Sequence, residues 1–240
     1  MTHYVIPANF GNDSIALIQW AFEQKLAPLT VTYVETGWAA PEWAKRVERC
    51  QAWVKSLGFT FVLLKPKADF PALVREQNGF PTRKFQWCAG FLKGLPLLAW
   101  LDQAENDPSC TATIVLAHRR TASRHKANLA EFIEESEHYG ERKVWHPLFA
   151  HSLEARDQLI QRAGFEILKH RSLECDPCVN SDACDVTRMS NDTLAKMHAL
   201  ETEMNQKMLD PEAYKPTKNV MTNSNELFEM GCGTPYGCGL

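Results

Sequence analysis

The chain alternates apolar, strand-like runs with helical patterns, and this alternation limits its folds more than any other feature. Tyr4-Val5-Ile6, LTVTYV and FTFVLL are continuous apolar or β-branched runs. Between them, residues 14–26 place Ile15, Leu17, Ile18, Phe22 and Leu26 close to one helical face, and residues 42–57 read as a second helix ended by Gly58. Strands without polar alternation must be covered on both faces, so the order strand, helix, strand, helix, strand predicts a parallel sheet between two helical layers. A fourth strand, ATIVLAH, spans 112–118 and runs into RRTASRHKAN, which is expected to open another helix. KVWHPLF, at 143–149, reads as a short fifth strand with its exit loop, followed by the helix SLEARDQLIQRAG, which Gly164 stops. The expected architecture is therefore α/β: a doubly wound, five-stranded parallel sheet. From about residue 185 the composition changes to a capped amphipathic helix, NDTLAKMHALETEMNQKM, and a tail rich in Asn, Thr, Pro and Gly. This divides the chain into an α/β domain over 1–184 and a Cys-bearing helical and irregular extension over 185–240.

At 240 residues the chain is long enough to bury a sizeable core, and its formal charge of -3 supplies no global attraction to nucleic acid, so such a contact would need a local basic patch. No apolar run reaches membrane-spanning length, and MTHYVIPANF has neither a basic start nor a long apolar stretch, so a cytoplasmic location is expected. Eight cysteines without a secretion signal argue for metal or thiol chemistry rather than a disulfide framework. Cys50 and Cys110 read as small buried residues; Cys88, Cys175, Cys178, Cys184, Cys232 and Cys238 lie beside turn residues, Trp or Pro.

In a parallel sheet, ligands bind at the carboxyl ends of the strands near the switch in strand order. Three predicted strand exits would open there. The first, NFGNDS at 9–14, is a small, polar turn into a helix whose first N–H groups attract anions, although Asp13 and Ser14 are also ordinary helix-start residues and capping alone explains the composition. The second is Glu35-Thr36-Gly37. The third holds Arg119, Arg120, Arg124 and Lys126 around Ser123; cations at a helix start oppose its dipole, so an anionic ligand accounts for them better than a solvated surface does. His118, His125, His146 and His151 read as surface or hydrogen-bonded residues as readily as pocket residues, and Trp87 and Trp145 are expected near the site.

Taken in order, these stretches resemble the PP-loop ATP pyrophosphatases and their phosphoadenosine phosphosulfate (PAPS) reductase-like members. NFGNDS is similar to the loop SGGxDS or SFGKDS, YVETGWAAPEW to xDTGxxxPE, KFQWCAGFLKGLP to RxCTxxLKxxP, and ECDPCVNSDAC to the cysteine-bearing loop; the similarity runs from about residue 3 to about 210. The resemblance implies ATP bound by Asn9, Phe10, Gly11, Asn12, Asp13 and Ser14 at the phosphates, by Val34, Glu35, Thr36 and Gly37 at the second strand exit, and by Arg119, Arg120, Ser123 and Lys126 at the third. Asp13 would hold Mg, and Gly11 would let the backbone approach the phosphates. Asn9, Asn12 and Glu35 depart from the usual Ser, Lys and Asp, and Ala122 stands where the family's RxxESxxR segment has Glu. The missing Lys at Asn12 leaves the third exit loop to supply positive charge.

Cys175-x2-Cys178 is a short chelating pair, and Cys88 precedes a predicted helix whose N–H groups would lower its pKa. With Cys184 these make the four thiolates of a 4Fe-4S cluster, with zinc and metal-free thiols as alternatives. The resemblance is strongest to the ATP pyrophosphatases of DNA phosphorothioation systems. It implies adenylylation of a substrate oxygen, a DNA backbone phosphate, with release of pyrophosphate, a cysteine desulfurase as sulfur donor, and Asp13, Arg119, Cys232 and Cys238 as reacting groups. A sulfonucleotide reductase working with thioredoxin through a tail cysteine, and a nucleotide-binding regulatory subunit without turnover, are the alternatives.

Overall fold

The computed structural model describes residues 3–105, 111–122 and 126–209. Its first half follows the expected alternation: β1 (Tyr4–Pro7), α1 (Asn12–Glu23), β2 (Leu29–Val34), α2 (Trp43–Ser56), β3 (Thr60–Leu64) and α3 (Phe70–Glu76). A helical stretch without a break then comprises α4 (Trp87–Ala89), a π-helical segment (Gly90–Gly94) and α5 (Leu95–Ala104). After β4 (Thr113–Val115) come a 3-10 turn at Arg120–Ala122, β5 (Phe132–Ser136), β6 (Arg142–Trp145), α6 (Leu153–Arg162), α7 (Ala183–Arg188) and α8 (Asn191–Met204).

The sheet has six strands in the order β3-β2-β1-β4-β6-β5. All neighbours pair in parallel except β5 with β6. The expected doubly wound sheet is present with one strand more than the sequence reading gave. Among the described residues, only a 3-10 turn lies where a helix was expected after β4, and the chain then makes an antiparallel hairpin. Gly140, at φ +61, and Glu141, at φ +59, supply its left-handed turn. The first four residues of β5 are exposed, so this edge strand has no buried face to produce an apolar alternation in sequence.

Successive residues of β1 feed opposite layers. Ile6 packs with Ile15, Ile18, Val31, Cys50, Leu159 and Ile160 beneath α1, α2 and α6, while Val5 packs with Leu97, Leu101, Ile114 and Val144 beneath α5. Each fully buried Ile or Leu contributes about 1.5–3 kcal/mol, which is what fixes the register of so short a central strand. A third cluster joins Trp38, Phe70, Leu73, Trp87 and Leu92 to Met197 and Leu200 of α8, so α8 docks beside the carboxyl end of β2. No helix among the described residues is long and apolar enough to cross a membrane.

Candidate functional site

The chain builds the sheet outward from β1 to β3, then returns to place β4 on the other flank of β1, so the strand order switches between β1 and β4. Asp13 leaves the first of these strands and Arg119 the second. They meet in the interior: Arg119 Nε donates to Asp13 Oδ1 at 3.1 Å, with both side chains almost wholly buried. Arg156, on α6, brings Nη1 to 3.7 Å from the same oxygen and donates its Nη2 to Asp157. Arg119 also donates to Thr121 Oγ1. Two buried arginines thus face one carboxylate, and Asp157 on Arg156 balances the second positive charge at the head of α1. Both arginine contacts are to Oδ1 of the carboxylate expected to hold Mg.

The NFGNDS loop is held by its own side chains. Asn9 Oδ1 accepts from the Gly11 N–H at 2.9 Å and from Ser14 Oγ at 3.0 Å, while Asn9 Nδ2 donates to Ser172 Oγ. Asn12 clasps Leu168 twice, its amide donating to the Leu168 carbonyl and accepting from the Leu168 N–H, both at 2.9 Å. The position where the similar loop SFGKDS has Lys therefore has a structural task. Phe10 has φ 59, strained for a residue with a Cβ; stacking of its ring on Tyr33 at 5.3 Å and donation from Arg46 Nε to its carbonyl at 2.7 Å compensate. Its ring lies in the core, so only its backbone faces the loop. The capping account of this turn fails. Ser14 and Asp13 lie inside the first turn, and Gly11 at the cap supplies no side-chain acceptor, whereas α3, α6, α7 and α8 are capped by Asp69, Ser152, Asp182 and Ser190.

Beside this turn a cavity opens over the ends of β1 and β2, lined by Pro7, Ala8, Asn9, Thr32, Val34, Lys93 and Glu174. Lys93 Nζ stands 2.7 Å from Glu174 Oε1 with both side chains buried. Burial opposes the Glu174 carboxylate, but the Lys93 ammonium, together with hydrogen bonds from Lys93, Ser172 and the backbone, holds its pKa below the usual carboxylate range. Lys93 sits on the π-helical segment, a widened turn that often marks functional positions. At the second strand exit, Thr36 donates to the Glu174 carbonyl at 2.5 Å and accepts from the Trp38 N–H. Gly37 takes φ +70, and a Cβ there would come within 2.7 Å of Asp69 Cβ, so glycine is required on both counts. Glu35 turns outward to an exposed pair with Lys65 at 3.2 Å.

A second cavity lies behind Lys93, lined by Cys88, Cys175 and Cys178 with Trp38, Phe70 and Leu92 among its walls. Lys93 borders both cavities. Three of the four predicted metal-binding cysteines thus share one chamber. Cys184 does not; it is exposed on α7. The soft donors suit a thiolate-bound metal centre, yet among the described residues no three His, Cys, Asp or Glu side chains converge as a metal-holding group. The expectation of a lowered Cys88 pKa is also corrected: Cys88 lies within α4, and burial pushes its thiol up. Burial likewise raises Cys175 to about 12, with Lys93 pulling the other way on both.

Of the remaining predicted residues, Lys126 is buried, while Arg120 is exposed, lies over the Phe149 ring and donates to the Leu129 carbonyl. Trp87 stacks on Phe70 at the thiol chamber, whereas Trp145 packs with Tyr4, Trp20 and Phe132. Cys110, Ser123, Arg124, His125, Cys232 and Cys238 lie outside the described residues. Sequence reasoning missed Lys93, Arg156 and Glu174. Arg156 carried a signal: it occupies the stripe of Leu159 and Ile160, where an amphipathic helix calls for an apolar residue.

No family model and no curated protein matches this chain. Among solved structures, NMN synthetase from Francisella tularensis is similar at a TM-score of 0.50 and 10% identity, over 91% of this chain and 89% of that one. The U34-tRNA thiolase NcsA from Methanococcus maripaludis, determined with its [4Fe-4S] cluster, gives a TM-score of 0.48 at 14% identity, over 89% and 69%. FMN adenylyltransferase from Candida glabrata, in complex with FMN and an ATP analogue, gives 0.39 at 14% identity, over 65% and 46%. The likeness to NMN synthetase shows a shared α/β fold.

Proposed function

We propose that this chain is an ATP-using enzyme of the PP-loop type that transfers an adenylyl group to a substrate oxygen. The observation that carries the reading is the head of α1: a first turn with no side-chain cap, flanked by buried Arg119 and Arg156, beside the cavity at the ends of β1 and β2. N–H groups and arginines attract the phosphates of a nucleotide, and the cavity receives its adenosine. In the reaction the substrate oxygen bonds to the α-phosphorus as the bond to the bridging oxygen breaks, and pyrophosphate leaves with the electron pair. Arg119 and Arg156 stabilise charge that grows on the departing group. Lys93, in the cavity lining, orients the nucleotide.

The acceptor in this reading is a phosphate oxygen, a DNA backbone phosphate being the one the sequence resemblance supports. Adenylylation makes that oxygen a leaving group for sulfur, delivered from a cysteine desulfurase. Cys88, Cys175 and Cys178 would hold a thiolate-bound centre, which when bound supplies a site for sulfur or electron exchange. Brown colour on anaerobic purification would identify iron-sulfur, and stoichiometric zinc in a colourless protein would identify zinc.

The test is the full chain incubated anaerobically with ATP, Mg and acceptor, with products separated by chromatography. AMP-linked acceptor and pyrophosphate are expected. A Val34→Trp variant, filling the cavity, is expected to lose at least tenfold in ATP affinity while keeping its thermal unfolding transition. Formation of ADP and phosphate, or no binding at millimolar ATP, would overturn the proposal.

A further inference from the structure

One buried polar group at the β4 exit is used by none of the above. His118 is 3% exposed, and its Nε2 has no hydrogen-bond partner. An imidazole nitrogen shut away from water without a partner costs about 1–3 kcal/mol, so it calls for a ligand. Its ring stacks on that of His146, with centroids 5.3 Å apart and planes at 14°. His146 is also buried, with Nδ1 2.8 Å from the Ala130 carbonyl; an acceptor there fixes the proton on Nδ1 and leaves Nε2 as the lone-pair nitrogen.

One cation lies within electrostatic reach of both rings. Lys126, buried, acts on both rings, and Arg119 follows His118 directly in sequence. From the β6 exit, His151 also feels Arg119. Glu131, the acid of the neighbouring loop, takes the His146 N–H on its backbone carbonyl and approaches the Trp145 indole with its carboxylate at 3.4 Å. Asp13 is engaged by Arg119 and Arg156. Burial, Lys126 and the neighbouring ring all favour the neutral form of His118.

We propose that His118, His146 and Lys126 form an oxyanion subsite on the β4–β6 side of the switch, receiving a phosphate-type group one strand away from the adenosine cavity. The group is either the departing pyrophosphate or the phosphate of the acceptor, and only this choice of anion rests on the ATP reading. A bound anion gives His118 Nε2 a partner when that nitrogen carries a proton, so filling the subsite draws a proton onto the pair.

The test uses the full chain with 15N-labelled histidine, titrated at pH 7 with inorganic pyrophosphate and, separately, with dimethyl phosphate as a phosphodiester probe. The His118 and His146 ring nitrogens are expected to shift saturably toward the imidazolium pattern with at least one probe. Pyrophosphate alone assigns the leaving group, and the phosphodiester assigns the acceptor. His118→Gln is expected to weaken the responding probe about tenfold. Ring resonances unmoved by millimolar concentrations of both probes would overturn the subsite, as would a folded His118→Gln variant that binds as tightly as the parent. ATP binding, measured on the same samples, separates this failure from failure of the nucleotide reading.

Discussion

The Lys93–Glu174 ion pair is buried, and the proposed function gives Lys93 a second task beside holding Glu174. Removing one member of a buried ion pair strands the other and typically costs about 3–5 kcal/mol, whereas replacing both is much cheaper. Lys93→Met is therefore expected to lower stability by about 3 kcal/mol, and the double variant Lys93→Met with Glu174→Gln to regain most of it. If Lys93 also orients nucleotide, the double variant stays deficient in ATP binding; calorimetric unfolding and nucleotide titration on the same samples separate the two roles, and recovery of both together would make Lys93 purely structural. At this scale the sequence was partly legible. Gly11, Asp13 and Arg119 stood out by type and spacing, and two of them touch. Asn12 read as a lost lysine because nothing local reveals that its amide is committed to Leu168, 156 residues away. Lys93 and Glu174 were hidden for the same reason: each looks like an ordinary charged residue until the fold brings them together across 81 residues.

Among the elements, the π-helical segment between α4 and α5 has the most specific consequence. A π-turn amounts to one extra residue in an α-helix, and it sets the rotation of Lys93 relative to Cys88. Deleting Phe91, which is 40% exposed, is expected to let the segment close into α-helix and swing Lys93 out of register with Glu174. The variant should stay folded by circular dichroism yet lose at least tenfold in ATP affinity, and unchanged affinity would show that the widened turn is incidental. The sequence revealed a helix here but not its irregularity, because hydrophobic spacing reports the average period and not a one-residue insertion. The strands β1 and β2 were readable because both faces are largely buried, and β3, though an edge strand with Leu63 exposed, because its residues are apolar or β-branched throughout; β5 carries charged residues on a solvated edge and leaves no such trace.

For the whole molecule, histidine burial makes stability depend on pH. His118, His146, His3 and His151 all have pKa values lowered, chiefly by burial, from the ordinary 6.5. A lowered folded-state value means that the unfolded chain binds more protons below pH 6.5, so stability is complete above that pH and falls as the solution is acidified. A histidine that stays neutral in the folded state contributes about 1.4 kcal/mol of this loss per pH unit. Asp176 and Asp185, raised by burial, oppose the trend toward the carboxylate range. The melting temperature is expected to drop between pH 7.5 and 5.5, and more shallowly in His118→Gln; equal slopes would mean that His118 does not drive it. The segment 168–174 has a consequence of another kind. It clasps Asn12, accepts from Asn9 and takes the Thr36 hydroxyl, so the loops after β1 and β2 are locked by residues made more than a hundred positions later. A nascent chain still short of that stretch lacks the contacts that fix these two loops, so their final geometry waits until residue 174 has been made.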